Sequence, residues 1–281
     1  MKDDQDLLKT LAEFRILSLE QLTEISGLSG PNIRRRSQNM EKRGWIKRRP
    51  FRGTDNRGRP KLVATLTKTG AAQAGHTIQD KDEKIGYETH QLLVNDIIIR
   101  LHEFLSLGVQ LKYAIPGSLS KERTLPKLHH IPSSAGDQNE NRIIPDASIG
   151  MTAASVAKTL LFFLEADCGT EPLRSKKPNG NDIFSKVINY RNYLGLGGYL
   201  QYAEWLGVKP KGFRVLFVCE NHTRRAQISS LVDSTPQSDF VWVTDYEQIR
   251  LHGIGSRIWA RGGNESREPE SILGSIAAKS S

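Results

Sequence analysis

Apolar residues recur at helical spacing early in the chain, at Leu7, Leu8, Leu11 and Phe14, and predict a short helix ending near Arg15. A second helix is expected to start at Ser18. A hydroxyl there and Gln21 three positions on can satisfy each other's backbone amides, and the stripe Leu19, Leu22, Ile25 is stopped by Gly27. After the turn Pro31 occupies a first helical position, where its missing N–H costs nothing, and a third helix runs to about Arg43. Two helices across so short a turn make a helix-turn-helix. Ile33, Met40 and Trp45 face the core in this reading, while Ser37 stands where a leucine would complete the buried stripe. The runs 46–51 and 61–66 alternate like paired strands around a Gly-, Asn- and Arg-rich tip, and this hairpin is the wing of a winged helix-turn-helix.

From Tyr87 to Leu107 the residues Leu92, Leu93, Ile97, Ile98, Leu101, Phe104 and Leu105 mark a buried helix. A strand at 109–114 and a Pro-, Ser- and Gly-rich loop at 116–141 follow. Beyond them come strands at 142–151 and 158–167, a helix at 182–194, a strand at 213–219, a helix at 224–232 and a strand at 240–244. The order αβββαβαβ predicts an α/β domain with a mixed sheet covered by helices. The expected organisation is a DNA-binding domain over 1–76, a linker over 77–86, the α/β domain over 87–261 and an unpatterned, flexible tail over 262–281.

Charge changes the picture more than composition does. The net charge of the 281 residues is +9, and residues 1–76 carry 16 Lys and Arg against 8 Asp and Glu, so nearly all the excess sits in the helix-turn-helix segment. Such a segment attracts a polyanion, and double-stranded DNA is the expected partner. On the third helix Asn32, Arg34, Arg35, Arg36 and Asn39 are residue types that read base edges or hold phosphates. Arg48, Arg49 and Lys61 on the wing strands join them. At the wing tip Arg57-Gly58-Arg59-Pro60 resembles the core of an AT-hook, whose arginines lie in narrow minor grooves. No run approaches the roughly 18 apolar residues of a membrane span. The acidic start and the two cysteines, Cys168 and Cys219, fit neither an export signal nor a disulfide framework, so a cytoplasmic location is expected. His129-His130 stands in the loop without further ligands at metal-site spacing, and a solvated loop is the plainer reading.

The candidate chemistry lies in the second half. Asp146 follows Pro145 on a strand, and the apolar run 160–164 leads directly into Glu165-Ala166-Asp167. Strand side chains alternate, so Glu165 and Asp167 share a face, and a hairpin pairing brings Asp146 toward them. Three carboxylates at one sheet edge require compensation, and hard oxygen donors suit Mg²⁺ or Mn²⁺; Asp146, Glu165 and Asp167 are the expected ligands.

Pro145-Asp146, eighteen intervening residues and Glu165-x-Asp167 in this element order resemble the PD-(D/E)xK restriction-endonuclease-like superfamily. The residue at the superfamily's lysine position is Asp167, and Lys186 on the following helix, with Tyr190 one turn on, is the candidate replacement. Glu88 resembles an additional acidic residue that some members place on the first helix. The whole arrangement resembles the replication-relaxation family and the related MOB-C class of plasmid relaxases: a winged helix, Glu88-Thr89-His90, the Pro-Asp strand, the segment from Leu164 to Glu171, and Lys186-x-x-x-Tyr190. The resemblance implies a metal-dependent DNA endonuclease that nicks a specific origin in plasmid replication or transfer, with Asp146, Glu165, Asp167, Lys186, Glu88 and Tyr190 as site residues. It also implies a second copy of the chain and transfer-machinery proteins as further partners. The alternative reading, left open by the missing in-strand lysine, is a catalytically inactive DNA-binding accessory protein or repressor of a mobile element.

Overall fold

The structure, a computed structural model, describes residues 3–54, 60–78, 88–120, 144–153, 158–176 and 182–274. It divides into two compact units, residues 1–99 with 114–124 and residues 100–113 with 125–281. Arg57 and Arg59 of the expected wing tip, His129-His130 and most of the expected linker lie outside the described residues.

The first unit opens with α1 (Asp4–Phe14), β1 (Ile16–Ser18), α2 (Leu19–Ser26) and α3 (Gly30–Lys42), followed by β2 (Ile46–Thr54), β3 (Pro60–Leu66) and α4 (Lys68–Gln73). The expected Ser18–Gln21 capping box closes in both directions at 3.0 Å, and Gly27 ends α2 in the left-handed region at φ 69°. β1 was not legible in the sequence because three residues are too few for an alternation to register. It pairs antiparallel with β3, which pairs antiparallel with β2, giving a three-stranded sheet. Leu7, Leu8, Leu11, Phe14, Ile16 and Val63 are fully buried. Ser37 is also buried, and its hydroxyl donates to the Arg34 carbonyl at 2.9 Å, so the gap in the stripe carries no unsatisfied polar group. Trp45 departs from expectation: it is half-buried, with the Arg43 guanidinium 4.8 Å above its ring.

α5 (Glu88–Leu101) gives way to a 3-10 turn at His102–Leu107, so the single long helix expected from the periodicity is in two pieces. Its first three turns belong with the first unit instead of the α/β domain. Buried Asn95 donates to the carbonyls of Phe14 and Ile16 at 3.1 and 2.5 Å, and Gln21 donates to the Leu92 carbonyl at 2.8 Å. These polar residues, which an apolar-periodicity reading passes over, are the reason the boundary differs from the expected linker.

The second unit is built on a mixed six-stranded sheet, in the order β4 (Val109–Ala114), β5 (Ala147–Ala153), β6 (Lys158–Asp167), β7 (Arg214–Cys219), β8 (Val241–Asp245) and β9 (Ala260–Arg261). β5 and β6 are antiparallel, β6 through β8 parallel, and β9 antiparallel to β8. The mixed α/β class is as expected. α6 (Ile183–Gly195) and α8 (His222–Asp233) cover one face of the sheet, packing Ile183, Val187, Ile228 and Val232 onto Phe163, Val215, Phe217 and Val243. The short helices α7 (Ala203–Leu206) and α9 (Tyr246–His252) complete the unit. Two expectations are corrected. β5 begins at Ala147, which leaves Asp146 just ahead of the strand, although its N–H still bonds the Leu164 carbonyl at 2.9 Å. Residues 262–274 are packed instead of forming a loose tail: Trp259 and Glu270 form a β-bridge, and Ile272 and Leu273 are buried. Two adjacent apolar residues show no period, so nothing in the pattern announced their burial. Among the described residues no helix is long and apolar enough to cross a membrane.

Candidate functional site

β6 carries the most apolar run of the chain into the sheet and ends it on two buried acids. Alternation puts Glu165 and Asp167 on the face covered by α6 and α8, as expected, but they meet different partners. Glu165 lies under α6, whose start is fixed by Asp182: its carboxylate accepts the backbone N–H of Ser185 at 2.6 Å and of Ser175 at 2.7 Å. Burial works to raise the Asp182 pKa, but these two amides together outweigh it and hold the carboxyl below the usual range. Helical spacing of four then aligns Lys186 and Tyr190. The Tyr190 hydroxyl donates to Glu165 Oε1 at 2.6 Å, and Lys186 Nζ stands 3.0 Å from Glu165 Oε2 and 2.8 Å from Glu171 Oε2.

Asp146 comes to the same place from β5. The pairing of Ala147 with Leu164, continued by one residue, sets Asp146 opposite Glu165, and Asp146 Oδ2 accepts the Ala166 N–H at 2.8 Å. Burial raises the Glu165 pKa to about 7; attraction to Lys186 opposes this, and repulsion from Asp146 adds to it. For Lys186 burial works against the ammonium, but Glu165, Glu171 and Asp146 hold its pKa above the ordinary lysine range. Tyr190 is raised by burial and then by the Glu165 charge, so it stays a neutral donor.

Asp167 does not join the pair. Its oxygens take Arg224 Nε at 2.6 Å and Nη2 at 3.0 Å from α8, and Oδ1 also accepts the Gly169 N–H at 2.9 Å. Arg225, beside it on α8, serves Asp245 at the end of β8 in the same way, at 3.1 Å. The expected trio is thus a pair plus a separately neutralised aspartate. Among the described residues no group of three His, Cys, Asp or Glu side chains is arranged to hold a metal ion. Asp146 and Glu165, opposite each other at the ends of paired strands, offer hard carboxylate oxygens. That donor set fits Mg²⁺, which is commonly held by one or two carboxylates while keeping several waters, better than a cage of carboxylates. Glu88 lies in the first unit, where both its oxygens bind the Arg49 guanidinium. Cys168, half-buried near Glu220 and Asp167, has its thiol pKa pushed up to about 11, first by burial, and is no nucleophile at neutral pH.

The residues missed by the sequence reading are Glu171 and Arg224. Glu171 belongs to the segment 164–171 but had no assigned part, and Arg224 carried only the indirect signal that a strand-end acid needs a partner.

In the first unit α3 buries Ile33, Ser37 and Met40, which turns Asn32, Arg35, Gln38 and Asn39 outward. Gln38, one turn from Arg35, was not anticipated. Arg34 is half-buried, and Arg36 turns back to Asp4 of α1 at 2.8 Å. Arg48 binds Glu41 through its backbone N–H and its guanidinium, at 2.6 to 2.9 Å, and its hydrogen bond is the chief reason the Glu41 pKa is lowered. Lys61 is exposed. Arg36, Arg48 and Arg49 are therefore struts of the unit, whereas Asn32, Arg35, Gln38, Asn39 and Lys61 are presented to solvent.

A family model described as Replication-relaxation matches residues 8–206. Among solved structures, a cysteine-to-serine mutant of MarR from E. coli in complex with operator DNA is similar over 37% of this chain and 71% of that chain, at 20% identity and a TM-score of 0.23. No curated protein matches the chain.

Proposed function

The chain belongs to the replication-relaxation family, and from that membership we propose that it works on plasmid or mobile-element DNA as a relaxase-like, metal-dependent nicking endonuclease. In this reading the first unit is a winged helix that finds a specific origin through α3, and the second is a PD-(D/E)xK-like core of the MOB-C kind. The observation that carries it is the convergence of Asp146, Glu165 and Lys186, two carboxylates and an ammonium, at one point where β5, β6 and α6 meet.

Asp146 and Glu165, with the Ala166 carbonyl, would hold Mg²⁺ or Mn²⁺, which when bound polarises a phosphoryl oxygen and lowers the pKa of a coordinated water. The chain's own residues divide the remaining work. The Ala166 N–H fixes the Asp146 carboxylate, and the Tyr190 hydroxyl orients Glu165 from the buried side. Lys186, held charged between Glu165 and Glu171, neutralises negative charge on the phosphoryl group in the transition state, a role that needs a cation and no proton transfer. Asp167 has no part in this chemistry; it anchors α8 through Arg224.

A supercoiled plasmid carrying the cognate origin tests the proposal. With Mg²⁺ the wild type should convert it to open circles, and Asp146→Ala should bind it but leave it closed. A second reading, a DNA-binding accessory protein or repressor, is favoured by Lys186 and Tyr190 already occupying both carboxylate oxygens of Glu165. It requires binding with no nicking in any divalent metal. Linear product would mean a double-strand cut.

A further inference from the structure

The geometry points to a second ligand site on the α/β unit, a cationic cavity for a phosphate-bearing nucleotide at the N-terminal ends of β6 and β7. The cavity has a volume of about 530 Å³, within the roughly 300–1,000 Å³ typical of small-ligand pockets. Lys158 stands at the start of β6, Arg214 at the start of β7, and Lys209 and Lys211 on the segment leading into β7. Val208 and Phe213 supply apolar wall. Among the described residues lining it are four cations and no carboxylate, while Glu270, outside the lining, attracts Arg214. Lys158 precedes Glu165 by seven residues of extended chain, roughly 23 Å, so this is the other end of the strand from the acid pair.

Arg214 gives the site its direction. Its guanidinium lies 4.3 Å over the Trp242 ring, which fixes the long side chain, while its Nη1 is buried with no hydrogen-bond partner among the described residues. A buried unsatisfied donor on a cation is costly and calls for an acceptor, and a phosphate oxygen is the acceptor that arginine's planar fork fits best. Burial lowers the Arg214 pKa and repulsion from Arg261 adds to this, against the attraction of Glu270. Lys209 and Lys211 are exposed, placed to take the remaining phosphate oxygens. The apolar wall suits the sugar and base of a nucleotide better than it suits inorganic phosphate alone. The phosphate can arrive on a free nucleotide or as part of a DNA strand; the chemistry recognised is the same.

The test is calorimetric titration of the whole chain with deoxyadenosine monophosphate, deoxyadenosine and a single-stranded hexanucleotide. Deoxyadenosine monophosphate should bind, and both deoxyadenosine on the wild type and the monophosphate on Lys209→Glu/Lys211→Glu should be about tenfold weaker or worse, the scale of one charge-assisted hydrogen bond. Both lysines are exposed, so the variant should melt with the wild type; Lys209→Gln/Lys211→Gln removes the charges without reversing them if it does not. Arg214→Met should cut binding further. Lysine-dependent binding of the hexanucleotide alone would identify the source as a strand and sustain the site. The proposal fails if neither phosphate-bearing probe binds, or if binding ignores the lysines, or if deoxyadenosine binds equally well. It is independent of the nuclease reading, because Asp146→Ala should leave this binding unchanged.

Discussion

Glu165 takes a hydrogen bond from Tyr190 on one carboxylate oxygen and an ion pair from Lys186 on the other, two residues one helical turn apart on α6. The carboxyl is nevertheless only 3% exposed, and burial beside Asp146 outweighs both partners and raises its pKa to about 7. The folded protein therefore holds a proton there that the unfolded chain releases near 4.5. Between those values the folded state binds more protons, so stability falls as pH rises, by up to about 1.4 kcal/mol per unit of pKa difference. In metal-free buffer the melting temperature of wild type should decline from about pH 5 to about pH 8 relative to Glu165→Gln, which lacks the titration. Parallel curves would remove the buried carboxylate from the account.

Lys186 should matter most where Glu165 is ionised. Lys186→Met leaves a buried carboxylate with only a tyrosine hydroxyl, at an expected cost of roughly 1–3 kcal/mol near pH 8 and little near pH 5. Denaturant unfolding of Lys186→Met, Glu165→Gln and the double variant forms a cycle. A coupling of about 1 kcal/mol or more at pH 8 is expected, and additivity would mean the 3.0 Å pair contributes nothing.

Asp146 and Asp167 should separate in experiment. Arg224 and Asp167 side chains are 11% and 4% exposed, so Arg224→Met strands a buried charge and should cost about 3–5 kcal/mol, with Asp167→Asn destabilising as well. Asp146→Asn keeps an acceptor for the Ala166 N–H and should melt close to wild type. If the proposed chemistry is right, Asp146→Asn loses Mg²⁺ uptake in calorimetry and Asp167→Asn retains it. Equal loss in both would restore the three-carboxylate site.

The periodic elements were legible because their burial is periodic: α1 to α3, the hairpin of β2 and β3, β6, α6 and the parallel strands after it all show in the apolar pattern. What stayed hidden was carried by single polar residues. Asn95 and Gln21 join the start of α5 to the first unit through backbone carbonyls, which no hydrophobic period reports. In the site, strand alternation correctly put Glu165 and Asp167 on one face, but a shared face does not mean a shared partner. Arg224 on α8 takes one acid and Lys186 on α6 the other. The arginines of the first unit show the same limit. Arg35 and Arg36 are adjacent and identical in type, yet one points to solvent and the other to Asp4.

Gly70 shows what a close backbone approach demands. It sits in α4, where alanine would ordinarily gain about 1 kcal/mol of helix propensity, yet a Cβ there would lie 1.8 Å from the Trp45 carbonyl oxygen. Strand β2 begins just after that carbonyl, and Thr67 also donates to it at 3.0 Å, so it has little freedom to move. Gly70→Ala should destabilise the first unit by at least about 2 kcal/mol in denaturant unfolding. A neutral or stabilising result would show that α4 is free to shift.

The last prediction divides the two adjacent arginines of α3. Arg35 is exposed on the face that carries Asn32, Gln38 and Asn39, so under the proposed function Arg35→Ala should weaken origin binding and, where it meets a phosphate, lower the slope of log K against log salt by about 1. Should it meet a guanine edge instead, the loss of roughly 1–3 kcal/mol would fall on the cognate sequence and spare random DNA. Arg36, 19% exposed, is bound to Asp4 at the start of α1, and its removal should act through that contact. Arg36→Ala should lower the melting temperature, as should Asp4→Ala, while the salt slope of DNA binding stays at the wild-type value. Salt-dependent binding isotherms for the two variants decide it. A reduced slope for Arg36→Ala with unchanged stability would mean that the strut opens when DNA arrives and that α3 presents both guanidiniums to the duplex.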